Sequence, residues 1–376
     1  MNRLLGLELL RGLAALVVLL EHVRYSVRDV CGSDVALPPL ITRVEGYWGV
    51  DLFFVLSGYV IGLALDKPGT TARSFLLARL ARVLPLYLIA ATFSLIYETC
   101  HTGETTVAKL VTTYTLMPLA GDALDPAPVH PFGWTLCYEF LFYLTATGLF
   151  AALGGLRVVP ALVGLFALAP LAFTVVGPVP GWDYPSFALS PLTAEFALGL
   201  VAYRLTDWLP KWCGWALAAV AAGGLVRGCL AEGNYGAQGE LIVDPLRAWG
   251  RVARFGLPAF AGVLGVARLD RADVFRPIAR LTTAAGAVSY SLYLAQPFAF
   301  LTTAVIANMS GTRDPWTLAA LTVAVTILLS AAISRCVDHP LHALAKGWVK
   351  RLSAPRQPSS ARSFWTFTSI RSRTLR

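Results

Sequence analysis

Residues 9–22 read LLRGLAALVVLLEH, an apolar run of helix length that nonetheless carries Arg11, Glu21 and His22. The N-terminal segment around it lacks a short apolar region followed by a small-residue cleavage site, so we interpret it as a retained helix rather than a signal peptide. An ionised side chain at bilayer depth costs at least about 2.5–3.5 kcal/mol. The charges in this helix therefore require an explanation where they stand.

The composition of the whole chain agrees with a membrane location. The 376 residues are 56% apolar and 14% charged, whereas soluble domains are roughly 45–50% apolar and 25% charged. Apolar runs of roughly 17–25 residues identify membrane spans. Ten such runs occur, at 5–23, 46–65, 84–100, 134–153, 157–177, 187–205, 213–230, 251–268, 284–306 and 316–337.

The pattern predicts an all-α, polytopic integral membrane bundle of about ten transmembrane helices. We expect one transmembrane domain over residues 1–352 and a disordered, basic cytoplasmic tail over 353–376, because the tail is rich in Pro, Ser and Arg. Between the third and fourth spans, the apolar patch VAKLVTTYTLMPL is predicted either to lie on the membrane surface as an amphipathic helix or to enter it as a re-entrant segment.

The net charge of +9 is concentrated in the tail and in short loops between spans. Basic residues that flank spans orient the protein and contact anionic lipid, so they argue against nucleic-acid binding. With a cytoplasmic N-terminus, the inside loops hold most of the basic residues and the outside loops most of the acids. The chain is therefore predicted to have both termini in the cytoplasm. Six scattered cysteines, without any CxxC spacing, predict no metal site.

Arg11 and His22 lie on one face of the first helix. They are separated by three helical turns, about 16 Å along the axis. Arg11 is expected to face a polar cavity, or alternatively to pair with Glu8 one turn away in a structural ion pair. His22 is either a hydrogen-bonded residue at the membrane interface or a general base.

Four later residues also carry chemistry at span ends or inside spans. Asp51 either caps the second span or acts in the site. Arg79 and Arg82 have the planar forks that bind phosphate oxygens, although they also suit a role as cytoplasmic anchors. Glu139 lies below the start of the fourth span, where a carboxylate implies a cavity, an ion path or a catalytic partner.

Taken together, five ordered segments are similar to the motifs of the membrane acyltransferase-3 family, which includes O-acetylases of bacterial surface and secreted polysaccharides. The resemblance extends from about Leu4 to Leu352. The segments are LLRGLAALVVLLEH, GVDLFFVLSGYVIG, LARLARVLPLY, WTLCYEFLFYL and AVSYSLYLAQPF.

Two positions depart from the family pattern. Gln296 stands where many relatives have a histidine, and Asp338 replaces the glutamate of the family's Glu-x-Pro close.

The resemblance implies transfer of an acyl group, usually acetyl, from cytoplasmic acyl-CoA to a hydroxyl of a carbohydrate such as exopolysaccharide or lipopolysaccharide. It implies a multi-pass protein of the bacterial inner membrane, with acetyl-CoA as substrate and without a permanently bound cofactor. It leaves the oligomeric state open, as it does the choice between His22 as general base and as transient acyl carrier.

By this resemblance and by depth in the spans, we expect catalytic, donor-binding and acceptor-binding residues. The catalytic set is His22, Glu139, Arg11 and Asp51, the donor-binding set is Arg79 and Arg82, and the substrate-binding set is Trp134, Tyr290, Tyr293 and Gln296.

The alternative is a transporter or exporter of a sugar or lipid-linked intermediate. In that case Arg11, Asp51, Glu139 and Glu195 form a solute or proton path. A transporter predicts flux without consumption of acyl-CoA. The chain shows no detectable internal repeat, which many secondary transporters have, and this disfavours the alternative.

Overall fold

The computed structural model describes residues 4–32, 35, 46–102, 105–117, 127–177, 183–231 and 244–353. Within these residues the chain is helical and contains no strand, which confirms the all-α prediction. Residues 354–376, nearly the whole predicted tail, lie outside the described part of the chain.

Fourteen α-helices are described. They are α1 (Leu5–Cys31), α2 (Trp48–Leu65), α3 (Ala72–Thr102), α4 (Val107–Thr115), α5 (Gly133–Leu153), α6 (Gly155–Val176), α7 (Asp183–Ala188), α8 (Ala194–Leu205), α9 (Lys211–Leu230), α10 (Pro245–Arg251), α11 (Leu257–Asp270), α12 (Ala279–Ser310), α13 (Pro315–Ile333) and α14 (His339–Ser353). Two π-helical turns, Val252–Gly256 and Ser334–Asp338, join α10 to α11 and α13 to α14.

Nine continuous helical segments of the described chain are long and apolar enough to cross a membrane. They correspond to the second through tenth predicted spans. The first predicted span belongs to α1, which has 27 residues but carries more charges than the other nine. Because α1 packs against α12, α2 and α13, it lies within the same bundle. The protein is therefore a multi-pass helical membrane protein.

Glycines allow two pairs of helices to approach closely. A Cβ built on Gly58 of α2 would lie 2.2 Å from the Phe196 carbonyl oxygen of α8, and one on Gly199 would lie 2.1 Å from the Val55 carbonyl oxygen. At the contact of α1 with α12, a Cβ on Gly12 would lie 2.6 Å from the Ala285 Cβ. Small residues at such crossings let backbones pack directly, as membrane bundles require.

Glu21, the third ionisable residue of the opening stretch, holds a loop onto α1. Its Oε2 atom accepts a hydrogen bond from the Gly46 backbone N–H at 2.9 Å. Its other oxygen pairs with Arg24, one turn along the helix. Arg24 also donates to the Tyr47 hydroxyl at 2.7 Å. The buried carboxylate thus fixes the start of α2 against α1, a role that the sequence alone left unexplained.

Residues 107–115 of the apolar patch between the third and fourth spans form α4. Thr106 caps the helix by accepting a hydrogen bond from the Lys109 backbone N–H. The Lys109 ammonium pairs with Glu98 of α3 at 2.7 Å, and Tyr87 of α3 donates to the Thr113 carbonyl at 2.8 Å. The segment is helical, and its polar side is attached to α3 while Val107 stays exposed.

The contact of α2 with α8 gives a stability prediction. Gly58→Ala should lower the thermal unfolding temperature of the detergent-solubilised protein, because overpacking against rigid backbone costs about 1–3 kcal/mol. Gly148→Ala is the control, since no atom lies within 4 Å of a Cβ built there. Alanine favours a helix over glycine, so this control should unfold at the same or a higher temperature. Equal unfolding temperatures for the two variants would contradict the close approach.

Candidate active site

Helices α1, α2, α3, α5, α12 and α14 surround a cavity of about 570 Å³. One wall is apolar and is formed chiefly by α2 through Phe53, Phe54, Leu56, Val60 and Ile61. Fourteen polar or charged side chains also line the cavity, among further apolar ones. They are Arg11, Ser57, Lys67, Arg79, Arg82, Thr135, Glu139, Tyr143, Ser289, Tyr290, Tyr293, His342, Lys346 and Lys350. The cavity therefore combines an apolar wall with several cationic side chains.

Glu139 and Arg11 lie in the same cavity. The Glu139 carboxylate accepts a hydrogen bond from the Ser57 hydroxyl at 3.0 Å and another from the Tyr143 hydroxyl, one turn along α5. Arg11 lines the cavity while its Nη1 atom lies 3.7 Å from Glu8 Oε2. Both interpretations of Arg11, cavity residue and ion-pair partner, hold in the structure.

The two arginines of α3 differ in how far their donors are already used. Arg82 Nη1 lies 3.2 Å from Asp338 Oδ2, and its guanidinium stands 5.2 Å from the centre of the Tyr290 ring. Asp338, one of the two departures from the family pattern, is thus the ion-pair partner of Arg82. Arg79 Nε is buried and has no hydrogen-bond partner among the described residues. Arg79 is therefore the freer of the two for an incoming anion.

Thr135 and Tyr293 line the cavity and are hydrogen-bonded to each other. The Tyr293 hydroxyl lies 2.8 Å from the Thr135 hydroxyl and donates to the Phe132 carbonyl at 3.2 Å. Phe132 packs on the Tyr293 ring, with ring centres 5.4 Å apart. Phe132 also stacks on His22, with ring centres 4.4 Å apart. His22 does not line the cavity, and Phe132 connects it to the lining residue Tyr293.

His22 is held by Gln296 of α12. Its Nδ1 atom lies 2.9 Å from Gln296 Oε1. Because an amide oxygen only accepts, Nδ1 is the donor in this bond, and in the neutral imidazole Nε2 then keeps the lone pair. Gln296 is fully buried, and its Nε2 atom has no hydrogen-bond partner among the described residues. The second departure from the family pattern is thus the residue that orients the histidine.

Asp51 lies away from the cavity in a buried ion pair. Its carboxylate accepts hydrogen bonds from Arg251 Nε at 3.0 Å and Nη2 at 2.9 Å, and Arg251 also donates to the Tyr47 carbonyl. The buried Glu195 lies close to this pair. Trp134 likewise does not line the cavity and packs edge-on against Phe54.

Three parts of the site escaped the sequence reasoning. Arg251 stands at the edge of a predicted span, and a basic residue at a predicted outer end is a signal for a specific partner. Tyr143 lies one turn after Glu139, a spacing that predicts contact on one helix face. The basic residues of α14 at positions 342, 346 and 350 repeat every four residues, which places them on one helix face.

Comparison with known proteins agrees with this architecture. The family model described as "Acyltransferase domain" matches residues 4–335. The Exopolysaccharide production protein ExoZ of Rhizobium meliloti (strain 1021) is 29% identical over 324 residues, covering 82% of this chain and 93% of that protein. Protein 2 in picA locus of Rhizobium radiobacter is 37% identical over 103 residues, covering 26% of this chain and 48% of that protein.

No solved structure matches the chain. The family match nevertheless covers nearly all of the helical bundle, including every residue of the cavity except those of α14. It also includes His22 and Gln296. The chain belongs to the acyltransferase-3 family of multi-pass membrane acyltransferases.

Proposed function

We propose that the protein is an O-acyltransferase that moves an acyl group, acetyl in the simplest case, from acyl-CoA to a hydroxyl of a carbohydrate acceptor. The observation that carries this proposal is a cavity lined by several cations and an apolar wall, with an oriented histidine connected to its lining through Phe132. The relative named for exopolysaccharide production supports exopolysaccharide or a related surface glycan such as lipopolysaccharide as the acceptor.

We place the protein in the bacterial inner membrane with both termini in the cytoplasm. The positive-inside rule supports this orientation, because the basic residues concentrate in the corresponding loops. The cations Lys67, Arg79 and Lys346 come from the loop after α2, the first half of α3 and α14. All three segments belong to the side predicted to be cytoplasmic, so the cationic end of the cavity faces the donor's compartment.

The donor would lie with its phosphates at Arg79 and its pantetheine arm along the apolar wall of α2. Guanidinium groups bind phosphate through charge-assisted hydrogen bonds, which are stronger than neutral ones. Arg82 pairs with Asp338, stands over the Tyr290 ring and lines the same cavity. Arg11 also lines the cavity, where its cation would stabilise negative charge that develops on the thioester oxygen.

Two routes of transfer are consistent with the His22 geometry. In the first, Nε2 takes the proton of the acceptor hydroxyl as the oxygen attacks the thioester carbon, and the thiolate of CoA leaves. In the second, Nε2 itself attacks the thioester and CoA leaves as the thiolate; the acyl group then passes from the imidazole to the hydroxyl, whose proton ends on that thiolate. Both routes require Nδ1 to keep its hydrogen bond to Gln296.

The thioester and His22 meet only when the aromatic rings between them move. In the present arrangement Phe132 stacks on His22, and Tyr293 is hydrogen-bonded to Thr135. We therefore propose that donor or acceptor binding displaces Phe132 and Tyr293. Asp51 would position α2 through its ion pair with Arg251. Glu139 would hold the polar side of the cavity through its hydrogen bonds with Ser57 and Tyr143. Trp134 would support the site by packing against Phe54.

The first test is acyl transfer from radiolabelled acetyl-CoA in membranes that contain the wild type or His22→Ala, followed by extraction of lipid-linked glycans and secreted polysaccharide. Label should enter a glycan fraction with the wild type and be reduced at least a hundredfold in the variant, because general-base catalysis alone contributes about 10²–10⁴-fold. His101→Ala is the control, since His101 is exposed and bonds only to the Tyr97 carbonyl among the described residues.

Equal labelling by His22→Ala and the wild type would contradict the role of His22. If the wild type consumes neither acetyl-CoA nor a longer acyl-CoA, the enzyme assignment is wrong. Movement of labelled glycan across the membrane without acyl-CoA consumption would then establish the transporter.

Gln296→Leu should lower the turnover number about tenfold or more while leaving the KM for acetyl-CoA unchanged. Leucine keeps the size of the side chain but removes the oxygen that fixes the His22 ring and its tautomer. Gln296→His restores a polar partner and should recover most of the rate. The measurement is steady-state kinetics in purified membranes. A rise in KM with unchanged turnover would instead place Gln296 in donor binding.

A further inference from the structure

Helix α14 has two faces of different character. His342, Lys346, Val349 and Lys350 line the cavity. On another side of the same helix, Leu344, Trp348 and Leu352 are exposed, at 62%, 69% and 49%. A helix with an exposed apolar side and a basic side lies in the membrane interface. The basic side of α14 is therefore turned toward the mouth of the cavity.

Two contacts fix α14 to α3. The π-helical turn before α14 ends at Asp338, which pairs with Arg82. One turn into α14, His342 Nδ1 lies 3.2 Å from the Ala81 carbonyl oxygen. Lys346 and Lys350 follow at successive turns, about 6 Å apart along the axis. Their ammonium groups are thus carried by a helix that is fixed against α3.

We name Lys67, Lys346 and Lys350 the lysine group. Within the described residues, none of the three makes an ion pair at 4.0 Å or less. Glu139 is the one acidic residue of the described cavity lining, and it is already hydrogen-bonded by Ser57 and Tyr143. The mouth of the cavity therefore has an excess of positive charge that its own carboxylates do not neutralise.

The positive charge is divided between two places. The arginine pair of α3 lies at the cavity wall, where Arg79 Nε is buried and lacks a partner among the described residues. The lysine group comes from a loop and from α14, and Lys67, Lys346 and Lys350 are all exposed to solvent. Ammonium groups act on phosphate as mobile point charges, whereas guanidinium groups fork onto two oxygens. Two different cationic sites suit a ligand with two separate phosphate groups.

We propose that the lysine group binds the 3′-phosphate of acyl-CoA, while Arg79 and Arg82 bind its pyrophosphate. This inference rests on the proposed donor and adds a determinant of donor specificity. CoA carries both phosphate groups, and dephospho-CoA differs from it only by loss of the 3′-phosphate. The protein should therefore discriminate between these two molecules through α14 and Lys67.

The test is equilibrium binding of CoA and dephospho-CoA to the purified full-length protein, without acceptor and without turnover. The wild type should bind CoA at least about tenfold more tightly than dephospho-CoA, because each charge-assisted phosphate contact is stronger than a neutral one. In Lys346→Gln/Lys350→Gln most of this preference for CoA should be lost, with Lys67 retaining the rest, and the affinity for dephospho-CoA should stay unchanged. Arg351→Gln is the control, because it removes an exposed charge of α14 outside the cavity lining.

Several results would overturn the inference. If the double variant keeps the wild-type preference for CoA, the lysine group does not bind the 3′-phosphate. If, in addition, phosphatidylglycerol raises the activity of the wild type but not that of the double variant, the lysines bind a lipid headgroup instead. If the wild type binds CoA and dephospho-CoA with equal affinity, no residue of the protein binds the 3′-phosphate. If it binds neither molecule, the acyl-CoA donor of the proposed function is itself wrong.

Discussion

Ionised side chains inside an apolar helical bundle must be paired, hydrogen-bonded or placed beside water, and this constraint organises the structure. Removing one partner of a buried ion pair costs about 3–5 kcal/mol, because the other charge is left uncompensated. Asp51 with Arg251 ties α2 to α10, and Glu21 with Arg24 holds the start of α2 on α1. Arg82 with Asp338 brings α14 against α3. The helices are thus arranged by charge as well as by apolar packing.

The opening stretch shows three answers to the same constraint. Glu21 is satisfied by a backbone N–H and a neighbouring arginine. Arg11 lies along a cavity with Glu8 nearby. His22 is hydrogen-bonded to Gln296 and covered by Phe132. One apolar helix therefore anchors a loop, lines the cavity and carries the proposed catalytic histidine.

The fold was largely predictable because span length, apolar content and loop charge are local properties of the sequence. All-α architecture and the family were confirmed. Of the ten predicted site residues, the cavity brings together Arg11, Arg79, Arg82, Glu139, Tyr290 and Tyr293. For these residues, the position along a helix decides whether the side chain lines the cavity. His22 shares a helix with Arg11, but helical spacing cannot show that Phe132 covers it.

The unpredicted features depend on partners distant in sequence. Asp51 meets an arginine 200 residues away, and His22 meets Gln296, 274 residues away. No periodicity relates such positions, because the pairing is set by the order in which the helices pack. The two departures from the family pattern became informative for the same reason. Gln296 and Asp338 contact His22 and Arg82, and neither contact is visible from the motif that contains it.

The central claim is that the donor enters the cationic end of the cavity from the cytoplasm and that the acyl group leaves toward the other face. Sealed membrane vesicles of opposite orientation, each given membrane-impermeant radiolabelled acetyl-CoA on the outside, test this directly. Inside-out vesicles should label a glycan fraction, and right-side-out vesicles should not. Labelling confined to right-side-out vesicles, or equal in both, would contradict the account.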